Sequence, residues 1–430
     1  MGVVEQYRDY VMTGFMKRVE PVVVDHGEGA LLYDADGREY VDCFAGISVT
    51  NAGHANKKII EAAKAEMDDH VVHACSYVYY VPRAGELAER LAKVAPGRLK
   101  KTFFANAGAE ANEGAMRLAK RYTGRREMVA LESSFHGRSY ATLSITGNSG
   151  RKLGGGPYMP GVAFAPTPYC YRCPLGYGDP ETCELACAER VKEVMRLHLS
   201  GDVAAFIAEP VMGEGGIIVP PDGYFKAVKK ILEDDGALFI ADEVQSGFGR
   251  TGKLFAMEWY GVEPDIMTLA KGIANGFPLG AFITRDEIAD AWKPGDHLST
   301  FGGNPVSCAA SIANLDYHLE NDLEGGAVRK GEALMARFRE HMKSEALIGD
   351  VRGKGLMIGV ELVTDRQSKG YNAAAAGFVR QYCLDHGVLI GVGGNFGNVL
   401  RLQPPLVIAD AELDKVFTTV VDGLAEFRKH

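Results

Sequence analysis

Short apolar runs alternate with helical patterns along most of the chain. The runs that are typical of buried strands read KTFFANAG, EMVALESSFHG, VAAFIAEPVMGEGG, ALFIADEV and PDIMTLAKG. Segments such as AEANEGAMRLAKRY and YFKAVKKILEDD lie between them and have the apolar spacing of amphipathic helices. Because strands that alternate with helices form parallel sheets with right-handed crossovers, the pattern predicts an α/β fold. We expect a mostly parallel central sheet with helices on both faces.

The alternation is continuous only over residues 59–318, which we predict to be a large domain. Residues 319–430 combine an amphipathic helix, GEALMARFREH, with the strand-like segments VRGKGLMIGVELV and GNVLRLQPPLVI, so they predict a smaller α+β domain. Residues 1–58 contain LLYDADGREYVDC, which is typical of a β-hairpin. We expect this N-terminal segment to pack beside the small domain.

Charge and hydropathy favour small molecules as partners. The 430 residues include 47 basic and 56 acidic side chains, a formal net charge of -9, which gives no broad basic surface for nucleic acid. No apolar run approaches the roughly 20 residues that a membrane-spanning helix needs. The first residues lack the pattern of a secretory signal. We therefore expect a cytoplasmic protein that binds neither nucleic acid nor membranes.

The first candidate functional site follows the run TFFAN, where small residues begin a predicted helix. In open α/β sheets, ligands bind beyond the carboxyl ends of the strands. Backbone N–H groups at a helix start attract anions, so Gly108 and Ala109 are candidates for phosphate binding. Most helix starts of this kind are only turns, so this motif alone is a weak signal.

Two charged residues follow neighbouring predicted strands. Asp242 comes after ALFIA and Lys271 after PDIMTLA. The plain interpretation is a salt bridge. The more specific one is a Schiff-base cofactor site, in which Lys271 forms an imine with an aldehyde and Asp242 keeps a pyridine ring cationic. That chemistry is typical of pyridoxal 5′-phosphate, whose phosphate would need a helix start such as the one at Gly108.

Nearly the whole chain resembles the class III (ω-type) pyridoxal-phosphate-dependent aminotransferases of fold type I, including the 4-aminobutyrate and alanine–glyoxylate aminotransferases. In order, the resemblance rests on DCFAGISVTNAGH, FFANAGAEANEGAMRLAKRYTGR, SFHGRSYATLSITG, IAEPVMGEGG, LFIADEVQSGFGRTG, PDIMTLAKGIANGFPLGA, STFGGNPVSCAA, RGKGLMIGVEL and VLRLQPPLVI. It implies transfer of an amino group from an ω-amino acid, such as 4-aminobutyrate or β-alanine, by ping-pong kinetics. The implied acceptor is a 2-oxo acid: 2-oxoglutarate, pyruvate or glyoxylate.

The resemblance also implies roles around the cofactor. Lys271 would form the Schiff base, Asp242 would pair with the pyridinium nitrogen, and Gln245 would lie near the phenolic oxygen. Phe135 would stack on the ring, although by itself it is only a buried aromatic residue.

The resemblance implies that residues of two subunits bind each cofactor phosphate. Gly108 and Ala109 would hold it through backbone N–H groups, and Thr300 would reach the phosphate of the neighbouring subunit's cofactor. Without the family, Thr300 is only a candidate for helix capping. The resemblance therefore implies a homodimer, or a dimer of dimers, with shared active sites.

Five residues are implied on the substrate side. Arg138, Glu214 and Arg401 match positions that handle substrate carboxylates, and Ile47 and Tyr79 match the pocket wall. A transaminase accepts two different substrates in one pocket, so an arginine that clamps a carboxylate in one half-reaction must be masked in the other. Glu214 can supply that mask by pairing with Arg401.

Two questions stay open at this level. The cysteines of Pro168–Cys187, which are Cys170, Cys173, Cys183 and Cys187, have spacing that can bind a metal, but reduced structural thiols without a metal are the favoured interpretation. An amino-acid racemase or epimerase on the same fold would use the same lysine and aspartate. A catalytically silent binding protein is disfavoured, because it needs no amine that forms a Schiff base.

Overall fold

Two seven-stranded sheets form the framework of the computed structural model, which describes residues 2–14, 19–178 and 182–430. The first sheet contains, in spatial order, Val24–Glu28 (β1), Leu31–Asp34 (β2), Glu39–Cys43 (β3), Val388–Gly393 (β13), Val399–Leu402 (β14), Met357–Leu362 (β12) and Ile348–Lys354 (β11). The second contains Lys101–Ala105 (β4), Gly280–Thr284 (β10), Ile266–Leu269 (β9), Leu238–Asp242 (β8), Val203–Ala208 (β7), Glu127–Leu131 (β5) and Val162–Ala165 (β6).

Helical segments cover both sheets. They are Val3–Tyr10 (α1), Ala45–Ser48 (α2), Lys57–Asp69 (α3), Pro82–Val94 (α4), Gly108–Thr123 (α5), Tyr140–Ile145 (α6), Ala186–Leu197 (α7), Tyr224–Asp235 (α8), Asp286–Ala289 (α9), Pro305–Asn321 (α10), Leu323–Met342 (α11), Ala373–Asp385 (α12) and Asp410–Phe427 (α13). Within the described part of the chain, none of these helices combines the length and the apolar character that crossing a membrane requires. The cytoplasmic location stays a prediction.

The second sheet confirms the predicted α/β fold. Its strands β6, β5, β7, β8 and β9 are parallel, and all five predicted apolar runs are strands of this sheet. Strand β10 is the exception, because it runs antiparallel to both β9 and β4. The alternation of strands and helices did not predict β10. An antiparallel strand can follow its neighbour without a crossover helix.

Alternate residues of the central strands fill two separate cores. Phe239 of β8 packs with Phe206 and Phe225 on the side of α7 and α8. Ile240, the next residue of β8, packs with Ala115 and Met116 of α5 on the opposite side. Because both faces are buried, these strands are apolar without interruption and end at polar residues.

The first sheet joins strands from both ends of the chain. The predicted hairpin is present as the antiparallel pair β2 and β3, and β3 continues the sheet by pairing in parallel with β13. A core that includes Val41, Phe338 and Leu402 lies beneath this sheet. The domain limits at residues 58 and 318 stay a prediction.

Candidate active site

One cleft of about 390 Å³ lies at the carboxyl ends of β8 and β9 and the N-terminus of α5. Its wall contains most of the residues that sequence analysis singled out, namely Ile47, Gly108, Ala109, Phe135, Arg138, Glu214, Asp242, Gln245 and Lys271. Arg401, Tyr79 and Thr300 are not among the described residues that line it. The strand-end rule therefore located a real convergence of side chains.

Asp242 is fixed at the base of this cleft by two side chains that sequence analysis missed. Its carboxylate Oδ2 accepts hydrogen bonds of 2.8 Å from Asn112 Nδ2 and from His136 Nδ1. Its other oxygen accepts the Val244 N–H at 3.1 Å. His136 stands next to Phe135 in the sequence, so its position could have been suspected, whereas Asn112 lies inside α5 and gives no such signal.

Lys271 opens a short 3₁₀ turn directly after β9, with φ of 49°. A positive φ is strained for a residue with a side chain, and such strain is concentrated at functional sites. Burial lowers the pKa of Lys271, while the nearby carboxylates of Asp242 and Glu209 oppose that shift. A lowered pKa increases the share of the neutral amine, which is the nucleophilic and basic form.

The N-terminus of α5 suits an anion. The helix begins at Gly108 without a side-chain cap, so backbone N–H groups of its first turn have no intrahelical acceptor. A Cβ at position 108 would lie 2.7 Å from Val244 Cγ1. Glycine therefore lets the helix start approach the strand end that carries Asp242.

Glu209 is a further residue that sequence analysis missed. It directly follows β7, and Asp242 is the last residue of β8, so the strand-end rule could have found Glu209 too. Its carboxylate accepts the N–H groups of Phe135 at 3.0 Å and Gly213 at 2.9 Å. Burial is the main cause that raises its pKa to about 7. Glu209 thus connects the turn that contains Phe135 with the turn that contains Gly213.

Ile47 lines the cleft from a strained turn. Residues 45–48 all have positive φ, including 69° at Ile47, a conformation that is costly for a β-branched side chain. Asp42 holds the turn, because its Oδ1 accepts the N–H groups of Phe44 and Ala45 at 2.9 and 2.8 Å. The turn positions an apolar side chain at the cleft wall.

The three residues that the resemblance implies for binding carboxylates are arranged differently from the expectation. Arg138 lines the cleft with its guanidinium 5.6 Å from the centre of the Phe135 ring. Glu214 also lines the cleft, but its carboxylate pairs with Arg151 and not with Arg401. Arg401 is buried in β14, and no hydrogen bond is made by its Nε or Nη1. Sequence analysis did not anticipate Arg151.

Tyr79 and Thr300 are exposed and lie outside the cleft in a single chain. Tyr79 belongs to a run of exposed apolar residues, Val78, Tyr79 and Tyr80. Neither residue contributes to the cleft lining of its own chain. Their implied roles stay predictions.

The cysteine-rich segment forms a separate small void. Cys170, Cys173, Cys183 and Cys187 all line an apolar cavity of about 20 Å³, and residues 179–181 of this segment lie outside the described part of the chain. Burial and the neighbouring thiols raise the pKa of Cys187 to about 12. No group of three or more potential metal ligands is close enough to hold an ion in the described residues. Reduced thiols without a metal stay a prediction.

Glu243 should make the stability of the fold depend on pH. Burial raises its pKa to about 7, above the ordinary value of about 4.3 for an unfolded chain. The stabilising contribution of the protonated form is thus complete below about pH 4 and is lost as the pH rises through about 7. Glu243→Gln stays neutral, so it should gain up to about 3 kcal/mol over the native protein between about pH 5 and pH 8.

Melting temperatures of both proteins at these two pH values measure this gain. The exposed Glu89, whose pKa is lowered by its hydrogen bond to Lys93, gives the control variant Glu89→Gln, which should not gain. The prediction would be contradicted if the difference in melting temperature between Glu243→Gln and the native protein were the same at both pH values.

The comparisons with known proteins agree with this site. A partly buried lysine and a fixed carboxylate at neighbouring strand ends, beside an uncapped helix start, define the type of site that a Schiff-base cofactor requires. The family model for class III aminotransferases matches residues 15–424. The chain therefore belongs to the class III aminotransferase family, and its cofactor is pyridoxal 5′-phosphate.

Three similar proteins illustrate the range of this family. An acetylornithine aminotransferase of Methanothermobacter thermautotrophicus is 40% identical over 96% of this chain and 95% of its own length. A leucine/methionine racemase of Thermococcus litoralis is 38% identical over 99% of this chain and 95% of its own. The PLP-bound structure of an amine transaminase from an uncultivated Pseudomonas species has a TM-score of 0.90 at 32% identity, with 96% of both chains covered.

The residues of the cleft fit the cofactor. Asp242 offers a buried carboxylate for a ring N–H, and α5 offers free N–H groups for the phosphate. Lys271 is the only lysine among the described residues that line the cleft, so it is the one amine there that can bind an aldehyde. The resemblance in the sequence, the fold class and the cofactor are thus confirmed, while the individual residue roles stay proposals.

Proposed function

We propose that the protein transfers an amino group from an ω-amino acid, such as 4-aminobutyrate or β-alanine, to 2-oxoglutarate, pyruvate or glyoxylate. The observation that carries the proposal is the cleft, where Lys271 and Asp242 lie together with the carboxylate-handling residues Arg138 and Glu214. The similar acetylornithine aminotransferase supports an ω-amino donor, because acetylornithine carries its free amine at the end of the chain distant from its carboxylate.

Each of four side chains of the cleft would have a separate role in the reaction. When bound, pyridoxal phosphate supplies an aldehyde that captures the substrate amine and a cationic ring that withdraws electrons from the adjacent carbon. Asp242 keeps the ring charged, and Phe135 covers its face. Lys271 Nζ, which burial favours in the neutral form, removes the proton from the amine-bearing carbon. Arg138 binds a substrate carboxylate.

We infer that two copies of the chain complete each site. Thr300 and Tyr79 are exposed and do not line the cleft of their own chain, which is the placement expected of residues that serve a neighbouring subunit. A homodimer, or a dimer of dimers, is the corresponding assembly. The remaining partners are the small-molecule amino donor and the 2-oxo acid.

Racemisation of an α-amino acid is the second candidate, because the similar leucine/methionine racemase covers almost the whole chain. The same lysine and aspartate suffice for it. The outcome differs, since the proton returns to the substrate carbon and no amino group is lost. A racemase therefore turns over continuously without a 2-oxo acid.

The dependence on the 2-oxo acid separates the two activities. The purified holoenzyme is incubated with 4-aminobutyrate, β-alanine or N-acetylornithine, each with and without 2-oxoglutarate, pyruvate or glyoxylate. It is incubated separately with L-leucine or L-methionine alone, and the amino acids formed are separated by chiral chromatography. We expect sustained formation of glutamate, alanine or glycine only when both substrates are present. Continuous conversion of L-leucine or L-methionine into the D-enantiomer without a 2-oxo acid would replace the proposal by the racemase.

A further inference from the structure

The guanidinium of Arg401 is buried beside the ring of Phe44, whose centre is 5.6 Å away. The residue is 5% exposed, and its Nε and Nη1 make no hydrogen bond. Gly393 makes room for it, since a Cβ there would lie 2.7 Å from the Arg401 Nε. A buried cation of this kind is unfavourable unless an anion reaches it. The site is therefore prepared for a carboxylate.

Glu214 is the carboxylate with the largest electrostatic effect on Arg401, yet it is paired with another arginine. Its carboxylate forms an ion pair with Arg151, which is 41% exposed at its side chain. Burial lowers the pKa of Arg401, Glu214 opposes that shift, and the charge of Arg151 adds to it. Glu214 is thus within electrostatic reach of two arginines and pairs with the more exposed one.

Hydrogen bonds to Ser134 anchor the backbone just before Arg151. It ends the short 3₁₀ turn Ser149–Arg151, and the residues before this turn are tied to Ser134. Asn148 donates its N–H to the Ser134 carbonyl at 3.0 Å, and Gly147 donates its N–H to the Ser134 hydroxyl at 3.0 Å. The backbone that leads to Arg151 is therefore anchored, and the ion pair joins it to the cleft-lining Glu214.

We propose that Arg151 is a specificity-determining residue, which retains Glu214 and so leaves Arg401 open to the second carboxylate of a dicarboxylate substrate. Without Arg151, Glu214 is free to pair with Arg401 and to block that carboxylate. A substrate with one carboxylate does not need Arg401, so its binding should not depend on Arg151. This inference rests on the proposed function, because it concerns how the same cleft selects its acceptor.

Binding of two substrate-like acids tests the inference apart from turnover. Calorimetric titration of the holoenzyme with glutarate and with pentanoate compares a diacid with a monoacid of equal chain length. We expect Arg151→Gln to weaken glutarate binding about tenfold, as one broken charge coupling implies, and to leave pentanoate binding within about twofold. The conservative variant Arg151→Lys should retain most of the glutarate affinity.

The Glu214→Gln background is the decisive control. With the mask removed, the additional Arg151→Gln substitution should change glutarate affinity by less than about twofold. A loss that persists in this background would mean that Arg151 binds the carboxylate itself, and it would overturn the inference. Equal binding of glutarate and pentanoate by the native protein would also overturn it. If these titrations succeed while no donor and acceptor pair turns over, only the proposed function fails.

Discussion

Lys271→Ala is expected to lower kcat by about 10⁴-fold or more, because it removes both the amine that captures the cofactor and the base that moves the proton. No other lysine among the described residues lines the cleft, so no neighbour can replace it. Amino-acid formation from the preferred donor and acceptor measures the loss.

The half-buried Lys120 of α5 gives a matched control. Burial lowers the pKa of Lys120 as it does that of Lys271, but Lys120 lies outside the cleft. Lys120→Ala should keep kcat within about twofold of the native value, since a substitution distant from the site acts independently of it. A Lys271→Ala protein that folds, binds the cofactor and retains more than about 1% of native turnover would contradict the assigned role.

The residues that sequence analysis located are those whose position follows from local pattern. Asp242 and Lys271 end apolar runs, and parallel strands that are buried on both faces bring such ends to one edge of the sheet. Glu209 satisfies the same rule after β7 and was overlooked. For these three residues the sequence contains enough information to predict the site.

The site residues that sequence analysis missed, apart from Glu209, depend on contacts between distant parts of the chain. Asn112 reaches Asp242 across 130 positions of the chain, and His136 reaches it across 106. Arg151 pairs with Glu214 across 63 positions of the chain. Strand β10 was missed for a related reason, since its antiparallel pairing with β4 joins residues far apart in sequence.

Asp242→Asn is expected to reduce kcat by about 10³-fold, which is the effect of removing one strong electrostatic contact at the reacting centre. The carboxylate is 3% exposed and accepts hydrogen bonds from Asn112 and His136, so it is held in place before any ligand binds. An amide of nearly equal size keeps the shape and removes the negative charge that keeps the ring protonated. Affinity for pyridoxal phosphate should fall as well, seen as loss of visible absorbance after gel filtration.

A second buried aspartate separates this effect from a general loss of stability. Asp265 is also 3% exposed and pairs with Lys229 and Arg285, but it does not line the cleft. Asp265→Asn should lower the melting temperature, because it removes the buried carboxylate that Lys229 and Arg285 share and leaves them only their pairs with Glu233 and Glu287, while kcat per folded molecule stays within about twofold. Asp242→Asn should show the opposite pattern, with a large loss of kcat in a protein that still folds. Turnover by Asp242→Asn within about tenfold of the native enzyme would show that the charge at this position is not needed to activate the cofactor.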